Sequence, residues 1–222
     1  MSKLEAIQLE TGPNPTASVI WMHGLGAAGN DFVPIVNELD LSGAPAIRFV
    51  FPHAPVRPVT INNGYVMPAW YDILSLDANN PREDDAGLRQ SQALVEALIA
   101  REKARGIPAK RIVLAGFSQG CAMALMTGLR HAERLAGLVC LSGYLPLATK
   151  AEAERHDSNR DLPIFMAHGT LDPVIAIARA RASRDVLVKL GHPVEWHEYP
   201  MPHSVAAEEI ADLEAWLRRV LA

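Results

Sequence analysis

The sequence predicts an α/β protein with a mostly parallel central sheet and helices on both faces. Short apolar runs suited to buried strands alternate along the chain with segments whose apolar residues recur at helical spacing. This alternation is typical of βαβ units, in which crossover helices cover a parallel sheet. A chain of 222 residues also fits within one hydrophobic core. We therefore expect a single domain over residues 1–222.

The predicted elements follow from these patterns, with irregular segments between them. Strands are predicted at Ala17–Met22, Ala46–Phe51, Arg111–Ala115, Leu135–Leu141, Pro163–Ala167 and Val194–Tyr199. Helices are predicted at Phe32–Leu39, Asp84–Arg105, Gln119–Arg130, Ile175–Leu190 and Val205–Val220. A long connection from Phe51 to about Asp85 is rich in Pro and Asn, and connections of this length are usually functional or mobile.

Composition and charge exclude several classes of function. The formal net charge of −4 leaves no surplus of positive charge for nucleic acid. No run of about 18 apolar residues predicts a membrane span, and the N-terminal residues lack the pattern of a secretory signal. Cys121 and Cys140 lack the spacing of a zinc site, and no histidine pair has metal-ligand spacing. We expect a cytoplasmic protein without a metal or cofactor.

The strongest catalytic motif is G-F-S-Q-G, which runs from Gly116 to Gly120 between a predicted strand and a predicted helix. In the G-x-S-x-G turn, the glycines let the neighbouring backbone pass closely while the serine hydroxyl is lifted above the sheet. Ser118 is therefore the candidate nucleophile. The alternative is a helix-start turn in which Ser118 serves only as a cap.

A catalytic serine needs a histidine as base and usually a carboxylate to orient that histidine. Asp172 follows the predicted strand Pro163–Ala167, and His203 follows the strand Val194–Tyr199. The order Ser, Asp, His is the one expected when the nucleophile lies in such a turn. Taken singly, Asp172 could instead begin a turn or cap a helix, and His203 could be a cap or a surface histidine.

A glycine-rich turn, His23 to Asn30, follows the first predicted strand. Such an early loop supplies one backbone donor to an oxyanion hole, and the residue after the nucleophile supplies the other. We assign these donors to the N–H groups of Leu25 and Gln119. A phosphate-binding loop is the competing interpretation, but the spacing of the glycines fits neither common nucleotide motif.

The chain resembles the carboxylesterase and acyl-protein thioesterase family of small α/β-hydrolases. Four blocks carry the resemblance: the His23–Gly26 loop, the Phe51–Pro55 and Met67–Asp72 stretches, the Gly116–Gly120 turn, and the loops around Asp172 and His203. It implies an α/β-hydrolase fold without a large cap domain. It also implies that Trp70 packs under the rim of the site and that Leu74 lines an acyl pocket, whereas ordinary core packing is the favoured alternative for Trp70.

The resemblance implies hydrolysis of short- to medium-chain carboxylic esters through an acyl-enzyme on Ser118. Thioesterase activity on acylated proteins is the alternative within the family, and a lactone or dienelactone hydrolase would share the machinery. A non-catalytic binding module on the same fold is the rival from another class. The expected partner is a small-molecule ester or acyl thioester, and a homodimer remains open.

Overall fold

The computed structural model describes residues 4–75 and 82–222. Residues 76–81, part of the long connection predicted from Phe51 to about Asp85, lie outside the described residues. The strands are β1 (Ala6–Glu10), β2 (Ala17–Met22), β3 (Ile47–Pro52), β4 (Val56–Val59), β5 (Tyr65–Pro68), β6 (Ile112–Phe117), β7 (Gly137–Leu141), β8 (Ile164–Gly169) and β9 (Val194–Tyr199). The α-helices are α1 (Ile35–Glu38), α2 (Asp85–Ala104), α3 (Gln119–Gly128), α4 (Ala148–Glu154), α5 (Ile177–Lys189) and α6 (Ala207–Val220).

The main sheet has seven strands in the spatial order β1-β3-β2-β6-β7-β8-β9. Strand β1 is antiparallel to β3, and every other neighbouring pair is parallel. Strands β4 and β5 form a separate antiparallel hairpin. Among the described residues there is no large cap domain over the sheet. The predicted α/β-hydrolase architecture is confirmed.

Buried side chains form two clusters, one on each face of the sheet. Alternation along β6 illustrates this, because Ile112 and Leu114 belong to one cluster while Val113 and Ala115 belong to the other. Helices α2, α3 and α5 contribute buried residues to the first cluster, and α1 and α6 contribute to the second. Successive side chains of a strand point to opposite faces, so a sheet buried on both faces needs continuous apolar strands.

The register of the parallel strands brings their carboxyl ends to one edge of the sheet. Phe117 at the end of β6 pairs with Leu141 at the end of β7, and Gly169 at the end of β8 pairs with Tyr199 at the end of β9. The loops that carry Ser118, Asp172 and His203 therefore begin at the same edge. Ligands of open α/β sheets bind outside the carboxyl ends of the strands.

Several elements differ from the sequence-based expectation. Strand β1 and the β4–β5 hairpin were not predicted. The predicted helix Phe32–Leu39 is a 3-10 turn, Gly29–Phe32, followed by the short helix α1. Because Pro34 fixes its own φ and lacks an N–H donor, it stands at the start of α1 rather than inside a longer helix.

Candidate active site

Ser118 occupies a sharp turn between β6 and α3. Its backbone has φ 56° and ψ −115°, a conformation that is strained for a residue with a side chain. A Cβ atom at Gly120 would overlap the carbonyl oxygen of Met22, and one at Gly116 would overlap the backbone of Gly120. The two glycines are therefore required for the close passage of helix and strands that holds this turn. Strained residues of this kind cluster at functional sites.

Asp172 and His203 are in direct contact. Nδ1–H of His203 donates a hydrogen bond to Oδ2 of Asp172 at 2.7 Å. The other carboxylate oxygen, Oδ1, accepts hydrogen bonds from the backbone amides of Val174 at 2.8 Å and Ile175 at 2.9 Å. Because both oxygens accept hydrogen bonds, the carboxylate is fixed, and a His203 ring that is protonated at Nδ1 has an unprotonated Nε2.

The electrostatic environment keeps Asp172 ionised although its side chain is fully buried. Burial raises the pKa of the carboxyl, but the hydrogen bonds from His203 and from the two backbone amides together lower it by more. The pKa of Asp172 therefore lies below its ordinary value. An ionised carboxylate stabilises the imidazolium that forms when a histidine accepts a proton.

A second histidine, His168, lies against the same carboxylate. Its Nε2 is 3.2 Å from Oδ2 of Asp172 and donates a hydrogen bond to the carbonyl oxygen of Ile175 at 2.8 Å. Burial lowers the pKa of His168 despite both contacts. His168 is therefore a neutral group that supports the Asp172 loop from inside the protein.

Phe117, the residue before Ser118, packs against His203 and so brings the serine turn close to the imidazole. The rings of Phe117 and His203 have centroids 4.7 Å apart, so the residue next to the serine packs directly on the imidazole. In the part of the chain that the structure describes, no hydrogen bond joins the Ser118 hydroxyl to His203. Such bonds are often long in free hydrolases and shorten when substrate binds. The structure thus brings together Asp172 and His203, with Ser118 beside them.

The two predicted oxyanion donors lie next to the serine. A Cβ atom at Gly24 would be 3.4 Å from that of Ser118, so the loop that carries Leu25 touches Ser118. The amides of Leu25 and Gln119 have no hydrogen-bond acceptor within residues 4–75 and 82–222. Unpaired amides beside a serine can bind the oxyanion of an acyl-transfer intermediate.

The loop from His23 to Asn30, which carries the predicted donor Leu25 and is called the oxyanion loop below, is held by hydrogen bonds to neighbouring segments. Gly26 N–H donates to the carbonyl oxygen of Pro68 at 2.9 Å, and the indole Nε1–H of Trp70 donates to that of His23, also at 2.9 Å. The His23 ring accepts a hydrogen bond at Nε2 from the Ala54 amide, and burial lowers the pKa of His23. A neutral, fixed ring at the start of the loop reduces the freedom of the backbone that follows.

The side chain of Gln119 has a structural role that the sequence did not indicate. Its Oε1 accepts a hydrogen bond from the Trp70 amide at 3.0 Å, and its Nε2 donates to the Tyr71 carbonyl at 2.9 Å. The motif G-x-S-x-G leaves this position unspecified, so only its backbone N–H could be predicted. These two hydrogen bonds connect the Gly116–Gly120 turn, called the nucleophile turn below, to the segment that follows β5.

A cavity of about 670 Å³ opens beside the Asp172 loop. Asp172 itself lines it, together with residues from the segments after β5, β7 and β8. The lining residues are Tyr71, Asp72, Ile73, Ser75, Arg82, Glu83, Tyr144, Asp172, Pro173, Val174, Ile175, Ala176, Ala178 and Arg179. Leu74 is half-buried and lies in sequence between Ile73 and Ser75, which line the cavity. Trp70 is fully buried and contacts the oxyanion loop, which begins at His23. Their assignment to substrate binding stays a prediction.

Sequence comparison places this site in a known family. A family described as phospholipase/carboxylesterase matches residues 4–221. An acyl-protein thioesterase 1 of Yarrowia lipolytica is 39% identical over 221 residues, which cover 98% of this chain and 97% of that protein. An acyl-protein thioesterase 1 of Neurospora crassa is 42% identical over 210 residues, covering 91% and 86% respectively.

Solved structures show the same fold. Arabidopsis thaliana SOBER1 superposes with a TM-score of 0.87 at 30% identity, covering 93% of this chain and 99% of that one. Esterase PE8 superposes with a TM-score of 0.84 at 29% identity, covering 99% and 100%. The resemblance predicted from the motifs around Ser118, Asp172 and His203 is thereby confirmed. The chain belongs to the phospholipase/carboxylesterase family of α/β-hydrolases and is a carboxylic ester hydrolase.

Proposed function

We propose that this protein hydrolyses carboxylic esters of short- to medium-chain acids through an acyl-enzyme on Ser118. The observation that carries the proposal is the hydrogen bond from His203 to Asp172 at 2.7 Å, beside a serine held in a strained turn. A serine hydroxyl is a weak nucleophile until an oriented base removes its proton. The three residues are the parts that such a mechanism requires.

In the first half of the reaction, Nε2 of His203 takes the proton of the Ser118 hydroxyl while the oxygen attacks the acyl carbon. Asp172 holds the imidazole in the required tautomer and stabilises its positive charge. The imidazolium then protonates the leaving alcohol or thiol, and the acyl group stays on Ser118. In the second half, His203 activates water, which releases the acid and restores the serine.

The tetrahedral oxyanion formed in each half would bind the amides of Leu25 and Gln119. Each donor of this kind contributes roughly 2.7–4 kcal/mol to the transition state in a well-studied serine hydrolase. Because the loop at Gly24 touches Ser118, both amides are near the atom where negative charge develops. Their positions support this role.

Thioesterase activity on acylated proteins is the second candidate. It is favoured by the relatives in Yarrowia lipolytica and Neurospora crassa, whose names are acyl-protein thioesterase 1 and which match nearly the whole chain. The same serine chemistry serves oxygen esters and thioesters. The two functions differ in the leaving group, so kinetics must separate them.

We infer further that residues 1–222 act as one domain in the cytoplasm. The buried free thiols of Cys121 and Cys140 suit a reducing compartment. Of the helices that the structure describes, none has the length and apolar character needed to cross a membrane.

The test is turnover of p-nitrophenyl butyrate by the wild type and by Ser118→Ala. We expect the variant to keep its circular dichroism and thermal melt but to lose at least about a thousandfold in kcat, because no acyl-enzyme can form. Half-buried Ser158→Ala is the matched control and should keep full turnover. Undiminished turnover by Ser118→Ala would exclude Ser118 as the nucleophile. Rates on S-butyryl and O-butyryl esters of matched alcohols and thiols then decide between the two candidate functions.

A further inference from the structure

Arg179 presents its guanidinium at the wall of the cavity beside the Asp172 loop. It lies in the first turn of α5 and is one of the lining residues of the cavity, as is Asp172. The catalytic machinery proposed above does not use it. A cation at this position, next to the triad carboxylate's loop, needs an explanation of its own.

The guanidinium is held in place by an aromatic ring. Its Cζ lies 3.4 Å from the centroid of the Tyr144 ring, which is a cation–π contact. The Tyr144 hydroxyl in turn is hydrogen-bonded to the Tyr71 hydroxyl at 2.9 Å. Both tyrosines are buried, so the platform under Arg179 is part of the protein interior. The stacking contact with Tyr144 therefore restricts the rotamers of Arg179 and holds its guanidinium at the cavity wall.

Arg179 has no acidic partner in the part of the chain that the structure describes. Two other arginines of the same helix differ: exposed Arg181 makes a two-pronged ion pair with Glu198, at 2.8 and 2.7 Å, and half-buried Arg184 pairs with Asp185. Stacking on a ring leaves the in-plane N–H donors of a guanidinium available. The donors of Arg179 are thus available to a bound ligand.

The carboxylates on the same cavity wall each accept hydrogen bonds from other groups of the protein. Both oxygens of Glu83 accept from the Leu147 amide at 3.1 Å, and Asp72 accepts from the Thr60 amide at 2.7 Å. Asp172 is bound by His203 and by two backbone amides, as described above. A second cation, Arg82, also lines the cavity. Within residues 4–75 and 82–222, no acidic side chain pairs with Arg82 or Arg179, so the two arginines can bind an anion.

The remaining wall is largely apolar. Ile73, Val174 and Ile175 line it, and Val174 is 62% exposed although it is a large apolar side chain. Such a wall fits a short hydrocarbon segment. Burial of the exposed Val174 side chain by the hydrocarbon of a ligand would be favourable. A ligand with a few methylene groups and an anionic end would match both parts of the cavity.

We propose that the cavity selects ester or thioester substrates that carry a carboxylate, and that Arg179 binds that carboxylate. This inference rests on the proposed function and specifies its substrate class. The planar guanidinium pairs with a carboxylate through two parallel hydrogen bonds. The anion could belong to the acyl part, as in a half-ester of a dicarboxylic acid, or to the alcohol part of the substrate. The chemistry at Arg179 is the same in both cases.

Two pairs of substrates test the proposal. For the acyl side, kcat/KM is measured on mono-p-nitrophenyl glutarate and on p-nitrophenyl butyrate. For the alcohol side, it is measured on 4-butyryloxybenzoate and on phenyl butyrate. Each is measured for the wild type, Arg179→Gln, Arg179→Lys and the control Arg181→Gln. The control removes one charge from the same helix, outside the cavity lining.

We expect Arg179→Gln to lower kcat/KM for one anionic ester by about tenfold relative to its neutral counterpart, mainly through KM, because an ion-paired hydrogen bond is lost. Arg179→Lys should recover part of the loss, and Arg181→Gln should leave the ratio unchanged. The pair that responds identifies the side that carries the anion.

Equal ratios in the wild type and in Arg179→Gln for both pairs would overturn the inference, as would an equal fall in Arg181→Gln, which would indicate a general charge effect. In either case turnover of the neutral esters would still support the proposed function. A wild-type protein that hydrolyses none of the four esters would remove the proposed function and this inference with it.

Discussion

The side-chain carbonyl of Gln119 accepts a hydrogen bond from the backbone amide of Trp70 at 3.0 Å, and its amide donates to the Tyr71 carbonyl at 2.9 Å. One side chain thereby satisfies two buried backbone groups of the segment after β5. Gln119 also supplies a proposed oxyanion donor through its own N–H. The contact couples the nucleophile turn to a segment whose residue Tyr71 lines the cavity.

Replacing this side chain by an apolar one of similar size should be costly. Gln119→Met leaves the Trp70 amide and the Tyr71 carbonyl buried without partners, so we expect the free energy of unfolding to fall by about 1–3 kcal/mol. The kcat for p-nitrophenyl butyrate should also fall, because the segment that Gln119 anchors becomes less ordered. Urea unfolding and steady-state kinetics measure the two effects.

The exposed Gln90→Met on α2 is the matched control and should change neither quantity. If Gln119→Met were as stable as the wild type, the two hydrogen bonds could not be an important link between the turn and the segment after β5.

The Asp172–His203 pair gives a second prediction. In Asp172→Asn, the amide oxygen still accepts from the backbone amides of Val174 and Ile175, but the amide nitrogen faces Nδ1 of His203 as a donor. His203 must then place its proton on Nε2, where it can no longer act as base. We expect kcat to fall by about 10⁴, the scale seen for this substitution in a serine protease triad.

The control for this prediction is Asp185→Asn, an exposed position on α5 that should retain full activity. In the wild type, the free energy of unfolding should depend on pH through this carboxyl with a defined sign. Because the folded pKa of Asp172 lies below its ordinary value of 3.8, the ionised carboxylate stabilises the folded protein above pH 3.8. This stabilisation is lost as the pH falls through the lower folded pKa. Near-normal kcat in Asp172→Asn would argue that another group orients His203.

Sequence patterns predicted the elements that carry the site because those elements obey local rules. A buried apolar run ending in G-F-S-Q-G predicts strand, turn and helix together, since Gly116 and Gly120 are needed for a close backbone passage that the structure contains. Asp172 and His203 were located in the same way, each directly after a predicted strand. Parallel strands bring such positions to one edge.

Other features depend on contacts between distant segments and leave little local signal. Strand β1 has a half-buried, mixed sequence and is fixed by its antiparallel pairing with β3. The roles of Gln119 and Arg179 arise from partners 48 and 35 residues away, Tyr71 and Tyr144. Neither partnership could be inferred from spacing along the chain, because only the folded sheet brings these segments together.

Glu209 lies in the first turn of α6, shortly after the loop that carries His203. Its side chain is fully buried, and one carboxylate oxygen, Oε2, accepts a hydrogen bond from the Ala206 amide at 3.3 Å. The other oxygen has no hydrogen-bond partner among the described residues. Burial raises the pKa of the Glu209 carboxyl to about 8, although the Ala206 amide acts in the opposite direction.

This raised pKa predicts how stability depends on pH. Between about pH 4.5 and 8 the folded protein keeps a proton on Glu209 that the unfolded chain releases, so this group makes the free energy of unfolding fall as the pH rises through that window. Glu209→Gln cannot ionise and should remove about 3 kcal/mol of the fall between pH 5 and pH 8. Urea unfolding at several pH values measures it. Exposed Glu208→Gln should keep the wild-type slope, and a Glu209→Gln profile parallel to that of the wild type would mean that Glu209 is already ionised in the folded protein.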